Sequence, residues 1–434
     1  TGAADAAFAR FGDFFAGIPT GVQIQSLFLA QPRLLELIVR VMAIAPAFAR
    51  ALARRPAALD ALLDPAFFAA LEPLAPGAFA LPGDFEGAMD AARRLHRERA
   101  FQIGLQVLAG TATAADAGEA FADLADACVA ALAEAALAEV ERQGGAFPGE
   151  VALIALGKCG SREMTAGSDL DLMTLYAPAA PDAASAGKGW AAETFYGRFT
   201  QRLITALSAP TGEGELYEVD MQLRPSGTKG PVAVSVAAFE SYYAGEAETW
   251  EYLALTRARV AWASSPGFAA RAAAAIEAKL RTPRDAQRTA ADVRAMRQLM
   301  ARERPAAGFW DLKLHEGGLV DIEFAAQFLQ LAHAADGGPL RPNTAAALEA
   351  MRAAGLAPAA LVNDLADAWR VQQDLSQLIK VALPDGADPE HEPRALRSLM
   401  AKAAGLRDFR ALRAALTARR RAAHRAFLDL LAAA

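Results

Sequence analysis

The fold of this chain is decided by Val151-Ala-Leu-Ile-Ala-Leu156 and the residues that follow directly, Gly157-Lys-Cys-Gly-Ser-Arg-Glu-Met-Thr-Ala-Gly-Ser-Asp-Leu-Asp-Leu-Met173. The apolar run lies between Pro148-Gly149 and a glycine, which is typical of a short buried strand. A second strand is predicted from Leu170 to Tyr176. Because a glycine-rich turn joins the two strands, the sequence predicts a small α/β core here.

Two acids open the second strand. Asp169 and Asp171 are two residues apart, so their side chains project from the same face of a strand. Neighbouring carboxylates repel each other unless a cation lies between them. Hard oxygen ligands of this kind suit Mg²⁺, which also takes phosphate oxygens of a substrate. The pair therefore predicts a magnesium site that handles a phosphorylated substrate.

The turn before these acids has the composition of a phosphate cradle. Gly160 and Ser161 let the backbone approach a ligand closely, especially if a helix starts near Ser161. Ser168 has two interpretations: it bonds a phosphate, or it closes the turn before the strand.

A third acid, Asp220, lies in Tyr217-Glu-Val-Asp-Met-Gln-Leu-Arg-Pro225, within a third strand predicted over 215–223. If this strand lies beside the one that carries Asp171, three acids converge and can hold two metal ions. Arg224 either neutralises a triphosphate or pairs with Glu218. Lys229, in a glycine-rich turn, is a second candidate phosphate contact.

Helices are predicted on both sides of this core. One is expected from Phe85 to about Gly110 and another from about Ala115 to Gln143, where Gly144-Gly145 ends it. A further helix is predicted from Trp190 to Ser208, and a fourth strand over 231–236. After about residue 240 strand character fades and helical periodicity returns. The fold class is therefore mainly α with a small α/β core sheet flanked by helical domains.

Composition agrees with this class. Hydrophobic residues make up 54% of the 434, and the abundance of alanine among them favours helices. A length of 434 residues predicts several domains: a helical region over 1–84, a sheet-containing domain with long leading helices over 85–265, and a C-terminal helical bundle over 266–434.

Charge and cysteine content limit the class of partner and the compartment. The formal net charge of -6 argues against a general nucleic-acid binder. No apolar run is long enough for a membrane helix, so no membrane association is expected. Two cysteines, Cys128 and Cys159, without a CxxC pair fit a reducing cytoplasm.

The motifs together resemble the DNA-polymerase-β-type nucleotidyltransferases, whose pattern is Gly-Ser, a short spacer, Asp-x-Asp and a later strand Asp. The segment from Gly157 to Leu172 is more narrowly similar to the glutamine synthetase adenylyltransferase family. Further matches are Gly17-Ile-Pro-Thr-Gly-Val-Gln23, Tyr217 to Gly227, Thr249-Trp-Glu-Tyr-Leu-Ala-Leu-Thr-Arg-Ala-Arg259 and His315-Glu-Gly-Gly-Leu-Val-Asp-Ile-Glu-Phe324.

The resemblance implies a polymerase-β-like core and transfer of AMP from ATP to a tyrosine of glutamine synthetase, with Mg²⁺ as the cofactor. It also implies regulation by the PII signalling protein and by glutamine through the helical regions. That family joins two related units in one polypeptide, and Gly167-Ser-Asp-Leu-Asp171 is closer to the C-terminal, adenylylating unit. A chain that opens at Thr1 with one such unit is expected to be that half. Two alternatives stay open: the phosphorolytic, AMP-removing unit, and a catalytically silent docking module.

The same motifs contain further charged side chains whose positions can be predicted. Asp321 and Glu323 are predicted to anchor the turn at Gly317-Gly318 against a helix. Arg257 and Arg259 are two apart, so one is expected to face the site and the other to face solvent.

Overall fold

The computed structural model describes residues 2–16, 26, 28–29, 31–54, 61–74 and 84–433. Helices dominate this part of the chain and surround one small mixed sheet, which confirms the predicted fold class. The glycine-containing opening at 17–23 and most of the predicted boundary loop at 73–83 lie outside the described residues.

The sheet has a mixed topology built around its second strand. Strands β1 and β2 are antiparallel, and β5 joins the far side of β1. The short strands β3 and β4 both pair with β2 in parallel, one after the other along its free edge. The bounds are β1 Gly149–Ala155, β2 Leu170–Pro178, β3 Val219–Asp220, β4 Ala233–Ser235 and β5 Arg259–Ala263.

Two strand predictions need correction. The third strand was predicted over 215–223, but β3 has two residues because the Gln222 N–H donates to Asp220 Oδ1 and turns the chain away (2.7 Å). Strand β5 was not predicted, since its arginine and alanine content is equally typical of the helices nearby. The first two strands and the fourth are confirmed within a few residues.

The two faces of the sheet pack against different helices. Val151 and Leu153 belong to a core shared with two long helices, α4 Phe85–Ala109 and α5 Ala114–Gly144. Their strand neighbour Ile154 belongs to the other core, which extends into the C-terminal helices. This alternation follows from the two-residue period of a strand whose faces are both buried.

The long helices begin and end where the sequence predicts. Thr113 and Asp116 form a capping box at the start of α5, with each side chain accepting a backbone N–H of the other residue. Gly110 ends α4 in the left-handed conformation, at φ 76°. The remaining helices before the sheet are α1 Gly2–Ala16, α2 Pro32–Ile44 and α3 Pro46–Arg54.

Helices also fill the rest of the chain. The predicted helix over 190–208 is present as α7, between β2 and β3. The helices from the sheet onward are α6 Gly157–Ser161, α7 Ala192–Ser208, α8 Val236–Gly245, α9 Thr249–Leu255, α10 Pro266–Leu280, α11 Ala286–Glu303, α12 Leu319–His333, α13 Thr344–Ala353, α14 Ala359–Ala382, α15 Arg394–Ala403 and α16 Phe409–Ala432.

The predicted domain boundaries stay a prediction. One apolar core includes Ile38 from the first region, Ile154 from the sheet and Leu365 from the third. The three regions therefore share buried surface where they meet. Among the described residues, no helix combines the length and the apolarity needed to cross a membrane.

Candidate active site

Gly157 brings the turn after β1 against the carboxylate of Asp171. Its φ is +52°, and a β-carbon there would lie 1.8 Å from Asp171 Oδ2. Any side chain would both strain the backbone and displace the carboxylate. The short helix α6 begins at this glycine and ends at Ser161, so the helix N-terminus that would favour a phosphate near Ser161 is not there.

Asp171 and Asp220 lie side by side on neighbouring strands. They are register partners in the parallel pair of β2 and β3, so both side chains leave the same face of the sheet. This confirms the strand pairing on which the convergence of the acids depended. Asp169 lies one residue before β2 and is exposed.

The negative charge around Asp171 is only partly balanced by nearby cations. The pKa of Asp171 is raised to about 6, mainly by burial and then by the nearby charges of Asp169 and Asp220, while Arg257 and Lys313 lower it by less. A carboxylate in this position gains most from a neighbouring cation.

The donor set fits a hard cation that keeps other ligands. In the described ranges, no three or more His, Cys, Asp or Glu side chains are grouped so that they could together hold a metal ion, so the predicted convergence of three acids is seen only for Asp171 and Asp220. Mg²⁺ is commonly held by one or two carboxylates together with water and substrate phosphates, rather than by a closed protein cage. Asp171 and Asp220, with Asp169 at the strand entry, match that open arrangement.

Gly160 and Ser161 are both tightly packed within the turn. A β-carbon at Gly160 would lie 2.1 Å from the Arg257 carbonyl oxygen and 2.6 Å from that of Ala155. Ser161 is buried, and its hydroxyl donates weakly to the Lys158 carbonyl (3.3 Å). The structure therefore explains the glycine by a close approach of protein backbone, and leaves phosphate contact by both residues a prediction.

The structure favours a structural role for Ser168 and Arg224. Ser168 Oγ accepts the Thr165 N–H (2.9 Å) and closes the turn before β2. Arg224 is buried, and its guanidinium donates to the carbonyls of Met221, Gly230 and Pro231 (2.6–3.2 Å). Among the described residues Arg224 makes no ion pair with Glu218. The three carbonyls use three of its five N–H groups, so phosphate contact by Arg224 stays a prediction.

Lys229 and Lys158 are two lysines of the site segments with different surroundings. Lys229 is exposed in a short 3₁₀ turn after Arg224, where it stays a candidate phosphate contact. Burial lowers the pKa of Lys158, and Lys313 and Arg257 add to this effect against the opposing charge of Glu323.

The structure has a buried ion cluster beside Ser161 that the sequence did not predict. Arg257 contacts Ser161 and two carboxylates, Glu163 and Glu323. Glu323 was predicted to anchor the Gly317 turn with Asp321. Only Asp321 does so, by accepting the Gly317 N–H at 2.7 Å.

Helix α5 supports the outside of the turn. Asp123 accepts from Arg162 (2.6 Å), which adopts a left-handed conformation directly after α6. Three residues on, Asp126 accepts from Arg259 of β5 (2.7 Å). Arg259 also donates to the Cys159 carbonyl (3.0 Å). One of Arg257 and Arg259 was expected to face solvent, but both are held in ion pairs.

Comparison with known proteins agrees with this architecture. The family model for glutamate-ammonia ligase adenylyltransferase matches residues 35–275, and that for GlnD PII-uridylyltransferase matches residues 272–430. Three relatives carry the name bifunctional glutamine synthetase adenylyltransferase/adenylyl-removing enzyme. They come from Caulobacter vibrioides (68% identical over 95% of this chain), Brucella suis (45% over 93%) and Rhizobium meliloti (42% over 99%).

The chain combines a small mixed sheet, two acids in register on neighbouring strands and a glycine turn packed against one of them. The chain belongs to the glutamate-ammonia ligase adenylyltransferase family. It spans 42–45% of the length of these three relatives, so it corresponds to less than half of each.

Proposed function

We propose that this chain transfers AMP from ATP to a tyrosine of glutamine synthetase and releases pyrophosphate. The observation that carries the proposal is the register of Asp171 with Asp220 beneath Gly157. That geometry gathers negative charge on one face of a sheet, beside a turn that any side chain would obstruct. Family membership supplies the substrate class, through the printed activity of the relatives.

The chain's own residues have separate roles in this reaction. Asp169, Asp171 and Asp220 would hold Mg²⁺, which when bound neutralises phosphate charge during the transfer. Asp220, at the sheet edge, accepts the proton of the tyrosine hydroxyl. The tyrosine oxygen then forms a bond to the α-phosphorus, and the bond from that phosphorus to the bridging oxygen of pyrophosphate breaks. Gly160, Ser161 and Lys229 are the proposed contacts of the triphosphate, while Ser168 and Arg224 hold the loops around it.

Regulation by PII and by glutamine is proposed for the C-terminal helices. These helices include the residues that match the GlnD PII-uridylyltransferase model, and they contact the turn that precedes Asp169. We propose the cytoplasm as the place of action, where two free, buried cysteines are compatible with a reducing environment.

The test is to incubate the chain with Mg²⁺, ATP and unmodified glutamine synthetase, with and without glutamine and PII, and to measure intact substrate mass. The expected result is an AMP-sized increase that is absent without Mg²⁺. Asp169→Asn and Asp171→Asn should lose it, while Asp182→Asn, in an exposed loop, should keep it.

A second reaction mixture tests the reverse chemistry, with AMP-modified glutamine synthetase and inorganic phosphate. If AMP is lost there while the forward mixture stays unmodified, the chain is the phosphorolytic unit. A chain that is silent in both mixtures is a docking module, and the proposed transfer is wrong.

A further inference from the structure

The buried guanidinium of Arg257 connects the turn after β1 (residues 157–161) to the C-terminal helices. It lies between α9 and β5 and is 8% exposed. Its Nη2 donates to Ser161 Oγ (2.7 Å) and to Glu163 Oε2 (3.0 Å), and its Nη1 lies 3.3 Å from Glu323 Oε2. One cation therefore contacts the turn, the segment after the turn and helix α12.

The bond to Ser161 decides what the serine hydroxyl can do. A hydroxyl has one proton to donate, and it can accept from other donors. Because Arg257 donates to Ser161 Oγ, the hydroxyl proton stays available for an acceptor. At present that acceptor is the Lys158 carbonyl at a long 3.3 Å, which is a weak bond that a charged phosphate oxygen can replace.

The two carboxylates keep Arg257 in place. Glu163 is itself fixed by helix α13, since its Oε1 accepts the Thr344 N–H (2.6 Å) and its Oε2 accepts the Thr344 hydroxyl (3.0 Å). Asn343 also donates to the Ser161 carbonyl (3.3 Å). A buried arginine with two such partners cannot leave without exposing unpaired charge, so its orientation is strongly determined.

We infer that Arg257 is a positioning residue that orients the Ser161 hydroxyl toward a nucleotide phosphate, and that Glu163 and Glu323 fix it from the C-terminal side. The inference rests on the proposed function, because it concerns how that same site binds the triphosphate of ATP. It also means that helices α12 and α13 complete the nucleotide site, although the acids and the glycine turn lie elsewhere.

The experiment is a double-mutant cycle on Mg·ATP affinity, measured by equilibrium dialysis with labelled ATP. Arg257→Lys keeps the charge but loses the planar fork, and Ser161→Ala removes the hydroxyl. Each single variant should bind Mg·ATP about tenfold more weakly. The double variant should also bind about tenfold more weakly, not about a hundredfold. Either substitution alone already removes the contribution of the Arg257–Ser161 hydrogen bond, so the second one has no further effect.

Arg297→Lys is the matched control, since Arg297 is equally buried and pairs with Asp321 elsewhere on α12. It should lower thermal stability and leave Mg·ATP affinity unchanged. At saturating ATP the rate of AMP transfer by Arg257→Lys should stay within about twofold of the parent, which places the effect in KM. If Arg257→Lys does not fold, Glu323→Gln replaces it in the cycle with the same expected coupling to Ser161.

The outcomes separate the two proposals. Additive effects of about a hundredfold, or normal affinity in Arg257→Lys, overturn the positioning role while leaving the transfer reaction intact. If the parent chain does not bind Mg·ATP at all, both the positioning role and the proposed function fall.

Discussion

Asp171 and Asp321 both lie largely out of solvent, but their surroundings are opposite. Around Asp171 the nearest charges include Asp169 and Asp220, and burial together with these acids raises its pKa to about 6. Asp321 is fully buried between Arg297, His424 and the Gly317 N–H. Burial alone would raise the pKa of Asp321, but these partners outweigh it and lower the pKa.

This difference separates an acid that is available to a ligand from an acid whose partners are all supplied by the fold. A carboxylate among like charges costs folding free energy, and a bound cation would offset that cost. A carboxylate whose lone pairs are all used has nothing left to offer a ligand. The same residue type in the same chain thus has two roles that burial alone does not distinguish.

The strongest test of the contrast is Asp171→Asn. We expect AMP transfer to fall by roughly a thousandfold, because the amide cannot replace the charge that holds Mg²⁺. The free energy of unfolding should stay unchanged or rise by about 1 kcal/mol at pH 8, since a repulsive charge is removed. Transfer assays and urea denaturation measure the two. A variant that loses both activity and stability would contradict the distinction.

Asp321→Asn should show the reverse pattern. Removing the charge leaves Arg297 buried without its partner, and we expect the free energy of unfolding to fall by about 3–5 kcal/mol. Urea denaturation measures the loss, with Asp364→Asn on an exposed face of α14 as the neutral control. If Asp321→Asn is as stable as that control, Asp321 is not the structural acid described here.

Gly157→Ala sharpens the comparison by changing the surroundings of Asp171 without changing its charge. The added methyl would overlap Asp171 Oδ2, and the backbone at φ +52° disfavours it. A displacement of about 1 Å should lower transfer by roughly a hundredfold. The control is Gly197→Ala in α7, where a β-carbon meets nothing within 4 Å. Equal activity of the two variants would refute the steric role of Gly157.

The smallest expected effect is the pH dependence of the Asp321 cluster. The hydrogen bond to Asp321 raises the pKa of His424 above its ordinary 6.5, so this bond stabilises the fold fully below pH 6.5. Stability should then fall by about 1 kcal/mol as pH rises through the folded pKa of His424. Urea denaturation from pH 6 to 9 measures this slope. His424→Gln should flatten it, and a slope that survives in that variant would assign the effect to another group.

Much of this site could be predicted because its determinants are local. The glycine turn and the acids that follow it are visible in the sequence. The strand period predicts Asp169 and Asp171 on one face, although β2 begins only at Leu170, so for Asp169 this stays a prediction. The third acid depended on which strands pair, and the register of β2 with β3 supplies that fact.

Other features depend on contacts that spacing does not encode. Arg224 is held by three loop carbonyls, and its neighbourhood in the sequence does not predict these bonds. Arg257 meets Glu163 and Glu323 from distant parts of the chain, and no periodicity connects them. Strand β5 was missed because its composition matches the helices around it.

The two acids of α5 that hold Arg162 and Arg259 have a consequence for dissecting this protein. The motifs begin near residue 151, which invites a minimal fragment cut just before β1. Such a fragment would lack Asp123 and Asp126, and both sides of the glycine turn would lose their outer support. A fragment that keeps this support has to include α5 with its capping box at Thr113.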